Sequence, residues 1–403
     1  MKHRDDKVNN LFANRMAKTH KSFIREILKV TEDPKIISFA GGLPNPKLFP
    51  VQEVTEASVK VLAEDGENVL QYSTTEGYLP LREYIADRYH KKKGLKVSSD
   101  EILITNGSQQ GLDLIGKVFL NKGDRVAIER PGYLGALQAF AVYEPIFEPV
   151  PLLDDGIDID LFEKAVSGAK IKLFHAVVNF QNPSGITYSK DRRLELADIC
   201  RGHNLILVED DPYSELRFMG EDLPSMRSYL DDNVVLLGSF SKIIAPGLRL
   251  GWICAKKDVM EKIVVAKQAS DLHSSYFSQR IIFQYLTDCD IDKHILKIRE
   301  VYKRQRDVMV SMIDEFFPGE VEFTKPEGGM FLWITLPESL SSLRLFDLAK
   351  KENVVFVPGN AFYVDGGGNN TLRMNFSYSD EAKIEEGIKR LARVIKKLLM
   401  ENK

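Results

Sequence analysis

The sequence predicts an α/β fold joined to a smaller α+β unit, and three observations predict it. Short β-rich runs alternate with helical stretches between Glu101 and Ala255, the order expected of a mostly parallel sheet packed between helices. Several of these runs are apolar throughout instead of alternating, as strands buried on both faces are. The C-terminal third changes character, with a long helical pattern followed by strands and a last helix.

Taken in order, the expected strands of the α/β part are seven. They are EILIT from Glu101, RVAIE from Arg125, PIFEPV from Pro145, LFHAVVN from Leu173, LILVED from Leu205, VVLLGS from Val234 and LRLGWICA from Leu248. Helical patterns such as that from Arg192 to Gly202 lie between them. Further on, a helix is expected from Ile291 to Phe316, strands near Met330 to Leu336 and Leu372 to Ser377, and a helix from about Asp380. Gly366, Gly367, Gly368, Asn369 and Asn370 read as a hairpin turn. Near the N-terminus, Phe23, Ile24, Ile27 and Leu28 recur at helical spacing and predict an amphipathic helix, followed by a strand over Ile36 to Ala40. The expected division is a large domain over residues 50–295 and a small one combining 1–49 with 296–403.

Composition narrows the function. The 403 residues are 44% hydrophobic and 28% charged, enough chain to bury a core without disulfides or metal. Fifty-five basic residues nearly balance 58 acidic ones, and the net charge of -3 supplies no field to draw nucleic acid or anionic lipid. A small-molecule protein is expected instead. Cys200, Cys254 and Cys289 are scattered, without a CxxC, and the seven histidines show no ligand spacing such as HExxH, so no metal is expected. The charged start MKHRDDKVNNLF lacks an apolar run, so a signal peptide is not expected, and no run approaches the roughly 18 apolar residues of a membrane span. The expected location is the cytoplasm.

The chemistry concentrates between Gly238 and Gly251. An apolar strand ends in Ser239-Phe240-Ser241-Lys242, and a Gly-containing loop delivers Arg249 seven residues after the lysine. Two hydroxyls and a guanidinium suit a phosphate. A lysine beside that cation, partly desolvated, has a lowered pKa and is a better nucleophile. Three other strand ends add to it. Thr105 to Gly111 is a strand, a Gly-containing turn and a helix start, whose free N–H groups suit an anion. Asn182-Pro183-Ser184-Gly185 follows the next apolar run, and Glu209-Asp210-Asp211-Pro212-Tyr213 places a carboxylate where α/β proteins bind ligands. Together they would hold a phosphorylated aromatic aldehyde.

With these residues the sequence resembles the fold-type I pyridoxal-phosphate aminotransferases, in the 2-aminoadipate and kynurenine aminotransferase subgroup, from about residue 20 to about residue 395. The resemblance lies in AGGLPNP (Ala40 to Pro46), LQY (Leu70 to Tyr72), NGSQQGL, ERPGY (Glu129 to Tyr133), NPSG, EDDPY, SFSKIIAPGLRLGW and LRMNFS (Leu372 to Ser377). Their order and spacing carry more weight than any one of them. The resemblance implies pyridoxal 5′-phosphate as cofactor, with Lys242 as the lysine that bonds it. It implies Asp210 as the carboxylate paired with the ring N–H+, Glu209 and Asp211 being its local competitors. Tyr213 and Asn182 would contact the phenolic oxygen, and Asn182 the substrate carboxylate as well. Phosphate binding would fall to Ser108, Gln109, Ser239, Ser241 and Arg249, and ring stacking to Tyr133.

Tyr72 resembles the tyrosine that reaches the neighbouring subunit's phosphate, which implies a homodimer with shared active sites. Arg373 matches the arginine that binds the substrate's α-carboxylate, while Gly41 and Gly42 would let main chain approach the substrate. Arg25, in Ser22 to Glu26, would swing toward a distal carboxylate from a lid helix. The activity implied is amino-group transfer from an L-amino acid to a 2-oxo acid, 2-oxoglutarate being expected, with ping-pong kinetics. A β-lyase or decarboxylase on the same scaffold is the alternative. An effector domain of a DNA-binding regulator is not expected, because the resemblance begins so near the N-terminus.

Overall fold

The computed structural model describes residues 11–17 and 33–401. The expected N-terminal helix, with Arg25, lies outside the described residues. In chain order the strands are β1 (Ile37–Ser38), β2 (Ile102–Thr105), β3 (Arg125–Arg130), β4 (Ile146–Leu153), β5 (Gly156–Ile157), β6 (Ile171–Ala176), β7 (Ile206–Asp210), β8 (Val234–Ser239) and β9 (Gly251–Cys254). They continue as β10 (Glu322–Phe323), β11 (Phe331–Thr335), β12 (Val354–Val355), β13 (Val357–Pro358) and β14 (Thr371–Asn375).

The large sheet runs β2-β9-β8-β7-β6-β3-β4-β5. The contiguous pairings from β8 through β7, β6 and β3 to β4 are parallel, whereas β9 is antiparallel to both β8 and β2. All seven expected strands are in it. An eighth, β5, was not expected: it is two residues long, turned back on β4 through Asp154 and Asp155, and so too short to carry a period. The last of the seven also starts later than its apolar run. Pro246–Leu248 forms a 3-10 turn and Arg249 takes a left-handed conformation (φ 53°), so pairing resumes only at Gly251.

Alternating side chains explain the unbroken apolar runs. On β2, Leu103 faces one core and Ile102 and Ile104 another; on β7, Leu207 and Val208 divide likewise, and on β8 Leu236 and Leu237. One face is covered by the helices Ser108–Phe119, Leu134–Ala141 and Lys257–Asp271 through Leu112, Ile115, Phe140 and Ile263. Part of the opposite face is covered by Ile159–Gly168 and Lys190–Gly202 through Phe162, Leu196 and Ala197.

Beyond the long helix Ile291–Phe316, strands β10-β11-β14-β13 form an antiparallel sheet, and β1 from the N-terminal side pairs in parallel with β12. The helix Glu381–Glu401 packs on Ile291–Phe316. The Gly366–Asn370 run lies in the connection from β13 to its antiparallel neighbour β14, with Gly366 and Gly368 at positive φ. This topology brings the C-terminal ends of parallel strands β3, β6, β7 and β8 to one edge, where the chain leads to Tyr133, Asn182, Asp210 and Lys242. No described helix is long and apolar enough to cross a membrane, and the described residues hold no group of three or more potential metal ligands.

Candidate active site

Lys242 stands in the turn after β8. Its Nζ donates to the Gly42 carbonyl at 2.9 Å. Gly42 stands close against Phe331, whose Cζ would lie 3.2 Å from a Cβ added there. Loss of solvent lowers the Lys242 pKa to about 8, and the positive charges of Arg373 and Arg249 act in the same direction.

Asp210 is the last residue of β7 and is buried. Its Oδ2 lies 3.5 Å from His175 Nε2 on the adjacent strand β6, while Oδ1 has no hydrogen-bond partner in the protein. Alternation along the strand separates it from its acidic neighbours. Glu209 points to the other face, where Ser225 Oγ, Met226 N and Arg227 N donate to it. Asp211 is used by Asn179 Nδ2 and Ser214 N. Of the three carboxylates, only Asp210 keeps a buried oxygen unspent. The Tyr133 ring stacks on His175, with centroids 6.1 Å apart and an interplanar angle of 22°.

Tyr213, Asn182 and Arg373 form one buried chain. Asn182 Oδ1 accepts from Arg373 Nη1 at 2.8 Å and stands beside the Tyr213 hydroxyl. Arg373 Nη2 donates to the Ala40 carbonyl at 2.7 Å, next to Gly41 and Gly42. The guanidinium is packed between the rings of Phe331 and Phe362, 4.3 and 5.3 Å from their centroids. Burial lowers its pKa to about 10, and Nε has no protein partner. Burial likewise raises the Tyr213 phenol, so it stays a hydroxyl.

The segment expected to cradle an anion is a glycine turn leading into a helix. The helix Ser108–Phe119 starts after Gly107 (φ 76°) with no side chain capping it, leaving its first N–H groups free. A Cβ on Gly107 would fall 2.6 Å from Arg249 Nη2, so only glycine lets the guanidinium stand there. Arg249 is fixed by donation to Asn106 O at 3.1 Å and Pro246 O at 3.3 Å. Ser239 Oγ accepts from Ser241 N at 3.1 Å, which folds the two hydroxyl residues into one turn. Gln109 is exposed and donates to Gly135 O at 2.7 Å, tying the helix to the Tyr133 segment.

Tyr72 stands apart from this cluster. It is 79% exposed and edge-on to His273.

Two contributors escaped the sequence reading. His175 is a lone histidine inside an apolar strand, which usually means a satisfied core residue; only its strand neighbour Asp210 reveals it. Glu129 is buried beneath the site and accepts from Val177 N, Gln181 Nε2 and Tyr188 OH, with Gln181 also donating to Pro131 O. It thereby joins the segments carrying Tyr133 and Asn182. Its position in ERPGY was the available signal.

Pyridoxal phosphate fits these residues. The unpartnered Asp210 Oδ1 is a buried acceptor for a ring N–H+, the uncapped helix start and Arg249 suit a phosphate, and Lys242 is an amine of lowered pKa. Residues 35–391 match the family of class I and II aminotransferases. The aromatic-amino-acid aminotransferase 1 of Thermococcus litoralis is 45% identical over 381 residues, 93% of this chain and 91% of the relative. A kynurenine aminotransferase structure from Pyrococcus horikoshii, in complex with PMP, is 44% identical with a TM-score of 0.92, covering 97% of this chain and 98% of that one. The α-aminoadipate aminotransferase of Thermus thermophilus, complexed with N-(5′-phosphopyridoxyl)-L-leucine, is 40% identical with a TM-score of 0.91, covering 98% and 99%. The chain belongs to the class I and II aminotransferases.

Proposed function

We propose that this pyridoxal-phosphate aminotransferase takes its amino group from 2-aminoadipate, aromatic or kynurenine-type and branched-chain L-amino acids and passes it to 2-oxoglutarate in a ping-pong cycle. The observation that carries the reading is the convergence on one site of the Lys242 amine, the unpartnered Asp210 oxygen and the buried Arg373 guanidinium. The names of the relatives support the donor range.

When bound, the cofactor supplies an aldehyde for the amino group and a ring that draws electron density from the substrate's Cα. Lys242 would hold the cofactor through its amine and would carry the proton between the substrate's Cα and the cofactor's aldehyde carbon. Asp210, oriented by His175, holds the ring N–H+, and Tyr213 with Asn182 holds the phenolic oxygen. Tyr133 stacks on the ring. Ser108, Gln109, Ser239, Ser241 and Arg249 hold the phosphate. Arg373, backed by Asn182, binds the α-carboxylate with charge-assisted hydrogen bonds, while Gly41 and Gly42 leave the substrate room. Arg25 recognises a distal carboxylate. Tyr72, exposed in one chain, reaches the phosphate of a second copy, so the working unit is a homodimer. Residues 50–295 make up the large cofactor-binding α/β domain, and 1–49 with 296–403 the small α+β domain.

A donor screen with 2-oxoglutarate as acceptor tests the reading. Turnover is expected with 2-aminoadipate and with aromatic or branched-chain donors, with parallel double-reciprocal lines. Release of pyruvate and ammonia from a cysteine conjugate without any acceptor would instead establish a β-lyase.

A further inference from the structure

Under the anion cradle lies an ion pair that the transfer reaction does not touch. Lys267, on the helix Lys257–Asp271, is fully buried, a rare placement for lysine that demands partners. Its ammonium donates to both Asp271 oxygens at 2.9 and 3.1 Å, to Gln110 Oε1 at 3.0 Å and to Ser274 Oγ at 3.1 Å. Asp271 Oδ2 in turn accepts from Asn106 Nδ2 and Gln110 Nε2, both at 2.6 Å. Gln110 Oε1 also accepts from Asn106 N at 2.8 Å. Asn106 is therefore gripped through its main chain and its side chain, and Asn106 O is the acceptor that holds Arg249 Nη2.

The same pair faces a second segment. The helix breaks at Leu272, a non-glycine residue at φ 65°. The next residue, His273, accepts from Ser73 N at 3.2 Å through Nε2 and meets the Tyr72 ring edge-on at 5.8 Å. A ring with its hydrogen on Nδ1 also satisfies the 2.9 Å contact to Ser274 O. Ser274 Oγ, besides taking the Lys267 bond, donates to Ile104 O on β2 at 3.3 Å.

We infer that Lys267 and Asp271 are positioning residues for the cofactor's phosphate, setting where Asn106, Gln110 and hence Arg249 stand and anchoring the segment that carries Tyr72. The inference rests on the phosphate roles proposed above for Arg249 and Tyr72. Through Tyr72, one buried pair bears on both sites of a dimer. An apolar pair would fill the same space but would leave Asn106 Nδ2 and Gln110 Nε2 without their shared acceptor, so that only the bond from Asn106 N to Gln110 Oε1 would still orient an amide head.

The test replaces both charges with apolar groups of similar volume, Lys267→Met with Asp271→Leu, in the full-length holoenzyme. The cofactor dissociation constant, the phosphorus NMR resonance of the bound phosphate and the KM for the amino donor are measured. Expected are a weakening of cofactor affinity by about tenfold or more, as for lost outer contacts of a bound group, and a displaced phosphate resonance. The donor KM should change by less than about twofold, because uniform substrate binding is untouched. If the double variant fails to fold, Asp271→Asn is read in the same way. Wild-type affinity together with an unmoved resonance, whatever happens to the melting temperature, overturns the inference. Arg249→Ala separates the two levels: unchanged cofactor affinity there would defeat the phosphate assignment itself, whereas weakened affinity there with no effect of the pair defeats only the inference.

Discussion

Three consecutive carboxylates, Glu209, Asp210 and Asp211, share a sequence neighbourhood and have different surroundings. Glu209 is consumed by two backbone N–H groups and a serine, and Asp211 by Asn179 and Ser214, so only Asp210 is left to receive a ring N–H+. Half-buried Lys242 is set apart in the same manner, by desolvation near two cations. The consequence for pH has a definite sign. Its folded pKa of about 8 lies below the ordinary 10.5, so the proton leaves at lower pH and the free amine dominates above about pH 8. The rate at which cofactor-free protein takes up pyridoxal phosphate should rise about tenfold per pH unit below that value and level off above it, as a titrating nucleophile does. Stopped-flow absorbance checks it, and a rise continuing toward pH 10 would contradict the lowered pKa. The residues of the spaced motifs were legible in the sequence because glycine, proline and serine mark their turns. His175 and Glu129 were not, since their meaning comes from strands β7 and β3 lying beside β6.

At the scale of elements, Asp210, Lys242 and the Gly107 turn stand where strands of the large sheet stop, whereas Arg373 lies within β14. β8 ends at Ser239 and delivers Ser241 and Lys242; β2 ends at Thr105 and delivers the Gly107 turn and an uncapped helix. The apolar runs announced these strands, because both sheet faces are covered and alternation cannot show. The same signal overran at Leu248, where the left-handed Arg249 postpones β9, and it missed β5, which has only two residues. Gly107 is where the turn after β2 meets Arg249 most closely. Gly107→Ala places a Cβ at φ 76°, ψ 167° and 2.6 Å from Arg249 Nη2, so backbone strain of about 1–3 kcal/mol adds to a displaced guanidinium. Cofactor affinity and melting temperature should both fall, as read by fluorescence titration and calorimetry. A variant with wild-type affinity would show that the cradle does not depend on this close approach.

Across the whole molecule, residues far apart in sequence close one site. Arg373 of β14 meets Asn182 at the end of the segment after β6 and Ala40 beside β1, while Lys242 meets Gly42. The α/β class and the mixed C-terminal unit could be read from the order of strands and helices. The order β2-β9-β8-β7-β6-β3-β4-β5 could not, since apolar runs carry no record of their neighbours. On the reading proposed above, this assembly moves an amino group through a cofactor bonded to Lys242. The most direct measurement is a half-reaction: purified holoenzyme is mixed with a donor such as 2-aminoadipate or phenylalanine, without acceptor, and the cofactor's absorbance is followed alongside the 2-oxo acid formed. One equivalent of 2-oxo acid per site is expected, with conversion of the cofactor from its aldehyde to its amine form, reversed by 2-oxoglutarate and abolished in Lys242→Ala. An unchanged cofactor spectrum with every donor, or conversion at the wild-type rate in Lys242→Ala, would contradict the account.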